Sequence, residues 1–245
     1  MHVVVEQQHH VLQVQLNRLD KKNALSGDMY RALTAALAQA SATPSIHVVV
    51  LLGQPGSFCA GNDLADFIQA GTLDHEHPTV QFLHALSQFD KPLIAAVDGL
   101  AIGIGTTALL HCDLVYATAG SRFQMPFTSL GLCPEAASSL LLPKLVGYQK
   151  AAQYLLLGEP FTGVDAHAMG LVNQLAEPED VAVLALQKAQ QLAALPQQAV
   201  LRSKALLKQP LRAQVQHVLH QELADFEQLL HSDDCKKALA KFFQR

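Results

Sequence analysis

The chain is poor in the residues that would mark several whole classes of protein. Its four cysteines, Cys59, Cys112, Cys133 and Cys235, form no C-x-x-C pair and no zinc spacing. They read as reduced thiols and point to a cytoplasmic protein. No basic tract breaks the formal net charge of −4, so nucleic acid is excluded as a main partner. The start has no leader pattern: Met1 to His10 carries Glu6 among alternating valines, as a strand does. The one long uncharged run, Pro92 to Leu110, matches the length of a membrane span, but it contains Asp98, Gly99, Gly103 and Gly105. A buried strand followed by a buried helix accounts for it, and no membrane partner is expected. His75, Glu76 and His77 supply too few fixed ligands for a metal, so no metal site is expected.

Half of the 245 residues are hydrophobic, enough for a sizeable core. Strand-like runs at 2–6, 11–16, 46–52, 93–97 and 113–117 alternate with helical stretches at 27–41, 78–88, 105–111 and 138–157. This alternation predicts an α/β fold. From Pro178 onward the sequence is rich in Ala, Leu, Gln and Lys and has no glycine. Pro196 and Pro210 are expected to divide this tail into helices of ordinary length. The expected organisation is therefore a core over 1–177 and a helical region over 178–245. The segment from Gln69 to Pro78 reads as a loop, either a lid over a pocket or a solvated surface turn.

Two glycine-bearing turns carry the chemistry. One is Ser57-Phe58-Cys59-Ala60-Gly61-Asn62-Asp63-Leu64; the other is Asp98-Gly99-Leu100-Ala101-Ile102-Gly103-Ile104-Gly105. Each follows an apolar run, and glycine lets a ligand approach the backbone closely. Two N–H groups converging on one point form an oxyanion hole, which stabilises a developing enolate. The second turn also fits G-x-G-x-x-A, a dinucleotide fingerprint. That reading fails because Phe123, Gln124 and Met125 stand where an acidic ribose ligand is required.

These motifs resemble the enoyl-CoA hydratase/isomerase (crotonase) superfamily. The likeness extends over Asn17-Arg18 with Asn23-Ala24-Leu25, Phe58 to Leu64, Lys91 to Gly105, Cys112 to Ala117, Phe123 to Gly131 and Ala168 to Val172, in the family's order. The resemblance implies a spiral of repeated ββα turns and a C-terminal helical region for trimerisation. It implies an acyl-CoA thioester substrate, with coenzyme A as carrier and no permanently bound cofactor, in a homotrimer or hexamer. It assigns the two oxyanion N–H groups to Ala60 and Ile104, the latter at a helix N-terminus where the dipole favours negative charge. Gly61, Asn62, Asp63, Leu64, Gly103, Gly105 and Phe127 become substrate-site residues. Arg18, Lys22 and Ala24 fall where relatives contact the CoA nucleotide. Lys241 and Phe242 fall near the tail position that reaches a neighbouring subunit's CoA.

The reaction turns on carboxylates. Hydratases of this family carry two catalytic glutamates, and the matching positions here are Thr107 and Phe127. Neither side chain serves as acid or base at neutral pH. Glu135, in Cys133-Pro134-Glu135-Ala136-Ala137, falls where the Δ3,Δ2-enoyl-CoA isomerase branch carries its single catalytic glutamate. The apolar run after it suggests a helix start at Glu135, and Phe127, Leu132 and Leu140 are expected to raise its pKa. The leading expectation is an enoyl-CoA isomerase of fatty-acid oxidation, with Glu135 as acid and base. Hydration, another acyl-CoA reaction such as a lyase, or a non-catalytic CoA-binding scaffold are the alternatives.

Overall fold

Each pass of the chain lays one strand in a large sheet, turns a corner, and lays a short strand in a small one. The computed structural model describes residues 1–69 and 72–243. A hairpin of β1 (Val3–Gln8) and β2 (Val11–Leu16) leads into α1 (Gly27–Ala42). Then come β3 (Val48–Leu52), β4 (Ser57–Cys59), α2 (Leu64–Gln69) and α3 (Pro78–Gln88). The next pass is β5 (Leu93–Val97), β6 (Leu100–Ile102) and α4 (Ile104–Thr107), continued by a 3₁₀ turn over Ala108–His111. A third is β7 (Leu114–Thr118) and β8 (Arg122–Gln124), followed by α5 (Ser138–Val146) and α6 (Tyr148–Leu156). The chain closes with β9 (Phe161–Thr162), α7 (Gly163–Ala168), β10 (Gln174–Ala176), α8 (Val181–Ala193), α9 (Gln197–Leu230) and α10 (Asp233–Phe243).

The large sheet runs β1-β2-β3-β5-β7-β10 and the small one β4-β6-β8-β9. Apart from the β1–β2 and β8–β9 pairs, neighbouring strands are parallel. The corners stack: Leu100 N–H donates to Gly56 O and Arg122 N–H to Gly99 O. A Cβ at Gly99 would lie 2.0 Å from Gly56 O, so only glycine permits that stacking. The repeat is therefore carried by corner geometry, with little side-chain similarity to reveal it.

The continuous apolar runs of β3 and β5 are strands buried on both faces, as parallel sheets require. Val48, Val50, Leu52, Ile94 and Ala96 pack under α8, whose Val181, Ala185, Ala189 and Ala193 cover them. The alternate residues Val49, Leu51, Leu93, Ala95 and Val97 face the main core with α1 and α3. Each buried valine, leucine or isoleucine among them contributes about 1.5–3 kcal/mol.

Two expectations are corrected here. Pro210 does not end a helix: α9 passes through it. Its lost hydrogen bond lies on an exposed face, while Lys204 before it and Val215, Leu219 and Phe226 after it are buried. The stretch 138–157 is two helices, because Gly147 at φ +81 breaks it. The tail packs on the chain's own core through Val215, Val218, Leu219, Leu223 and Phe226. The exposed apolar side chains of the tail are others, among them Leu195, Leu206 and Leu207.

Candidate active site

Strands β4 and β6 are parallel neighbours, pairing Ser57 with Leu100 and Cys59 with Ala101. Their following turns, Ala60–Asn62 and Gly103–Gly105, therefore emerge side by side. They touch: a Cβ at Gly105 would lie 2.6 Å from Cys59 O. Gly103, at φ +55, donates its N–H to Gln124 O and accepts from Thr106 and Thr107 N–H. The intervening Ile104 N–H makes no hydrogen bond within the described residues. Because α4 has only four residues, this is a local amide donor and not the end of a long helix dipole.

The first turn overturns one assignment. Ala60 N–H donates to Lys22 O at 3.0 Å and is not available to a substrate. The loop holding that carbonyl is bent by left-handed Lys22 and Asn23, and Asn23 Nδ2 ties it to Ser57 O at 2.8 Å. Further along, Gly61 O accepts from Leu25 N–H and Asp63 N–H donates to Leu25 O. Between them, Asn62 N–H has no partner within the described residues. Asn62 and Ile104 line the same apolar cleft of about 100 Å³. The amide pair the geometry offers is thus Asn62 with Ile104, and Ala60 is a hinge of the turn.

Glu135 sits beside this cleft, in a loop and not in a helix. Helix α5 begins only at Ser138, and Ala136 and Ala137 hold left-handed φ values of 59° and 55°. The loop thus turns sharply just before the helix, at a conformational cost for non-glycine residues. The Glu135 carboxyl is buried, and Thr107 Oγ1 lies 2.5 Å from its Oε1. Burial pushes its pKa up to about 8, against the opposing hydrogen bond from Thr107, with the nearby Glu222 carboxylate adding to the rise. Its apolar walls are Phe67, Leu73, Leu83, Leu223 and Phe226, which surround a hollow of about 10 Å³. Phe127 and Leu132 line the adjoining cleft instead, and Leu140 lines neither. Asn62, Phe67 and Phe226 border both spaces, so Asn62 stands between the cleft that Ile104 lines and the Glu135 carboxyl.

The other expected residues separate into two groups. Gly61, Leu64, Gly103, Phe127 and Phe242 line the cleft. Phe242 does so within its own chain, whereas the resemblance pointed to a neighbouring subunit. Arg18 and Asp63 are instead paired at 2.8 Å, and Arg18 Nη1 also donates to Ala24 O. Burial alone would raise the Asp63 pKa, but the Arg18 hydrogen bond and charge leave it lowered. This pair therefore braces the turn. Lys22 and Lys241 are exposed. Of the expected lid, Ala70 and Gly71 lie outside the described residues. The part from Thr72 is tied to the tail by Leu73 N–H donating to Glu227 Oε2, and His77 caps α3.

Sequence reasoning missed Tyr30, Phe67, Phe226, Leu230, Leu239 and Glu222. Tyr30, fully buried, donates its hydroxyl to Asn62 Oδ1. Leu230 and Leu239 come from α9 and α10 and wall the cleft. Their only signal was helical periodicity, which reports burial and not which space is lined. Cys133 is no candidate nucleophile, since burial pushes its pKa to about 12.

The chain's similarities accord with this geometry. The "Enoyl-CoA hydratase/isomerase" family model matches residues 6–245. Enoyl-CoA delta isomerase 2 of Rattus norvegicus is 31% identical over 249 residues, covering 99% of this chain, which spans only 63% of that protein's length. The 2,3-dehydroadipyl-CoA hydratase of Escherichia coli K12 is 34% identical over 246 residues, covering 99% of this chain and 96% of that protein. Among solved structures, Pseudomonas aeruginosa OdaA superposes with a TM-score of 0.97 at 41% identity, covering 100% of this chain and 99% of that one. The α/β spiral with a helical tail that the resemblance implied is the architecture found.

Proposed function

The chain belongs to the enoyl-CoA hydratase/isomerase family, and within it we propose a Δ3,Δ2-enoyl-CoA isomerase acting in acyl-CoA metabolism. The observation that carries this reading is that Glu135 is the sole carboxylate among the described residues lining the cleft or the adjoining hollow. The thioester oxygen docks on Asn62 N–H and Ile104 N–H. Glu135 takes a proton from C2 of a 3-enoyl chain, and the two amides hold the dienolate oxygen. The same carboxyl, now protonated, returns the proton at C4 and yields the 2-enoyl thioester. One group suffices because it is base and then acid. A pKa near 8 suits both roles at neutral pH.

Hydration needs a water to be positioned, deprotonated and complemented by a proton donor. Thr107 points its hydroxyl at Glu135, and Phe127 offers only an aromatic wall. The full-length likeness to a hydratase keeps hydration as the second reading. Incubating the protein separately with 3-enoyl-CoA and 2-enoyl-CoA decides between them. Isomerisation should dominate, and 3-hydroxyacyl-CoA formed at a rival rate would overturn the proposal. No turnover of either substrate would favour a CoA-binding scaffold. Among the described residues the cleft carries no charged side chain, which supports an apolar acyl group over an ω-carboxylate one. Assembly into trimers, or pairs of trimers, accompanies this reading; light scattering that returns the 26.4 kDa single chain would refute it.

A further inference from the structure

The C-terminal helix α9 places one buried carboxylate, Glu222, against the loop that carries Glu135. Glu222 Oε2 accepts from Ala137 N–H at 2.6 Å. Its Oε1 accepts from Ser139 N–H at 3.0 Å and from Ser139 Oγ at 2.5 Å. These are charge-assisted bonds in a dry site, the strong kind. They close the start of α5: Ser139 N–H takes Glu222 as its acceptor, while Ser138 N–H donates to Glu135 O and Leu140 N–H to Ala137 O. From the opposite side, His111 Nε2 lies 2.8 Å from Ala136 O, and burial lowers its pKa to about 4, so the neutral ring donates. The two left-handed alanines are thus gripped on both sides. Nothing in their side chains would hold that geometry, since alanine disfavours positive φ.

We propose that Glu222 is a positioning residue for isomerisation: from α9 it clamps the Ala136–Ala137 turn and so aims the Glu135 carboxyl at the substrate. The proposal rests on the reading of Glu135 as the base. The arrangement makes residues far along the tail part of the active-site machinery, not only its cover. It also gives Glu222 a second, electrostatic effect. The titratable groups facing Glu135 are Tyr30 from α1, Cys59 at the end of β4, Cys133 in its own loop and Glu222 from α9. Burial pushes Tyr30 well up and Cys59 and Cys133 to about 12, so all three stay neutral. Glu222, hydrogen-bonded by three donors, is the charge that remains, although burial raises its own pKa. Asp225 also faces Cys133.

Two variants separate the clamp from the charge. Glu222→Gln keeps the shape, removes the charge and sets an NH2 group against one of the donors, so it loses the charge and one arm of the clamp. Its turnover should fall roughly tenfold with KM little changed, and the midpoint of kcat/KM against pH should move towards acid. Glu222→Asp keeps the charge and shortens the arm. It should lose turnover to a similar degree, with the midpoint staying near the wild-type value. A merely structural residue would lower the melting temperature and leave both kcat and the midpoint of the folded enzyme in place. Wild-type kcat in either folded variant overturns the proposal, and so does an unmoved midpoint in Glu222→Gln. Glu135→Gln is measured alongside: if it stays active, the reading of Glu135 fails, whereas if it is inactive and the Glu222 variants are normal, only the clamp fails.

Discussion

Thr107 Oγ1 lies 2.5 Å from Glu135 Oε1. Threonine here occupies one of the two positions where a hydratase carries a glutamate, and it contacts the remaining carboxyl directly. Its hydroxyl tunes that carboxyl by favouring the charged form, against the burial that pushes the pKa to about 8.

Thr107→Val should therefore shift activity to higher pH. Glu135 must be ionised to act as base, so kcat/KM rises with pH through its pKa. Removing the hydroxyl removes a bond to the carboxylate, and the midpoint climbs. Thr107→Ser should stay near wild type. A profile that is unmoved in Thr107→Val, or that moves towards acid, would contradict the assignment of Glu135 as the titrating group.

Glu135→Gln should lose isomerisation by roughly a hundredfold or more, the usual effect of removing a general base. Affinity for a non-reactive acyl-CoA analogue should hardly change, because the amide keeps the shape of the carboxyl. Calorimetric titration beside a turnover assay checks both halves.

The same substitution should stabilise the fold, and more so as pH rises. With a folded pKa near 8 against 4.5 for the free group, Glu135 ionises more readily in the unfolded chain. Below the lower value both states hold the proton and the carboxyl costs nothing. Between the two values wild-type stability falls, by at most about 1.4 kcal/mol per pH unit, and above the higher value the loss is complete. Glutamine escapes this cost. Its melting temperature should exceed the wild-type value by a margin that widens from about pH 5 to pH 8, at about 2–4 °C per kcal/mol. A constant margin across that range would mean that the carboxyl is not buried as described.

Amide-to-ester replacement isolates the oxyanion donors. Exchanging the N–H of Asn62 or of Ile104 for an ester oxygen should cost about 2.7–4 kcal/mol in the barrier, or roughly a hundred- to a thousandfold in turnover. The same exchange at Ala60 removes its bond to Lys22 O and should lower stability while the folded enzyme keeps its turnover. Loss of turnover at Ala60 with none at Asn62 would restore the assignment that the hydrogen bonding overturns. Ile104→Gly should remain active throughout, since only the backbone is used.

Much of the site was legible because it is local. Glycine at 61, 103 and 105 announces turns, and the missing acids at 107 and 127 follow from position alone. Glu135 also stands out in an apolar stretch. What failed were the statements that turned on one particular partner distant in sequence. Ala60 reads as a free donor in the sequence, but Lys22 O, across a separate loop, engages its N–H. Glu222 looked like any charged residue on a long helix, since its acceptors' partners lie some eighty positions earlier. Pro210 reads as a helix end because propensity is local, while the packing that carries α9 past it is not.

The sequence by itself determined the α/β alternation, the family and the glutamate proposed here as the base, because strand and turn preferences and residue identity act over a few neighbours. Only the tertiary structure decided which amides are free, how far the Glu135 pKa rises and which tail residues wall the cleft. Those properties are set by burial and by hydrogen bonds between segments far apart in the chain, and they come into being only when the spiral closes and α9 packs against it.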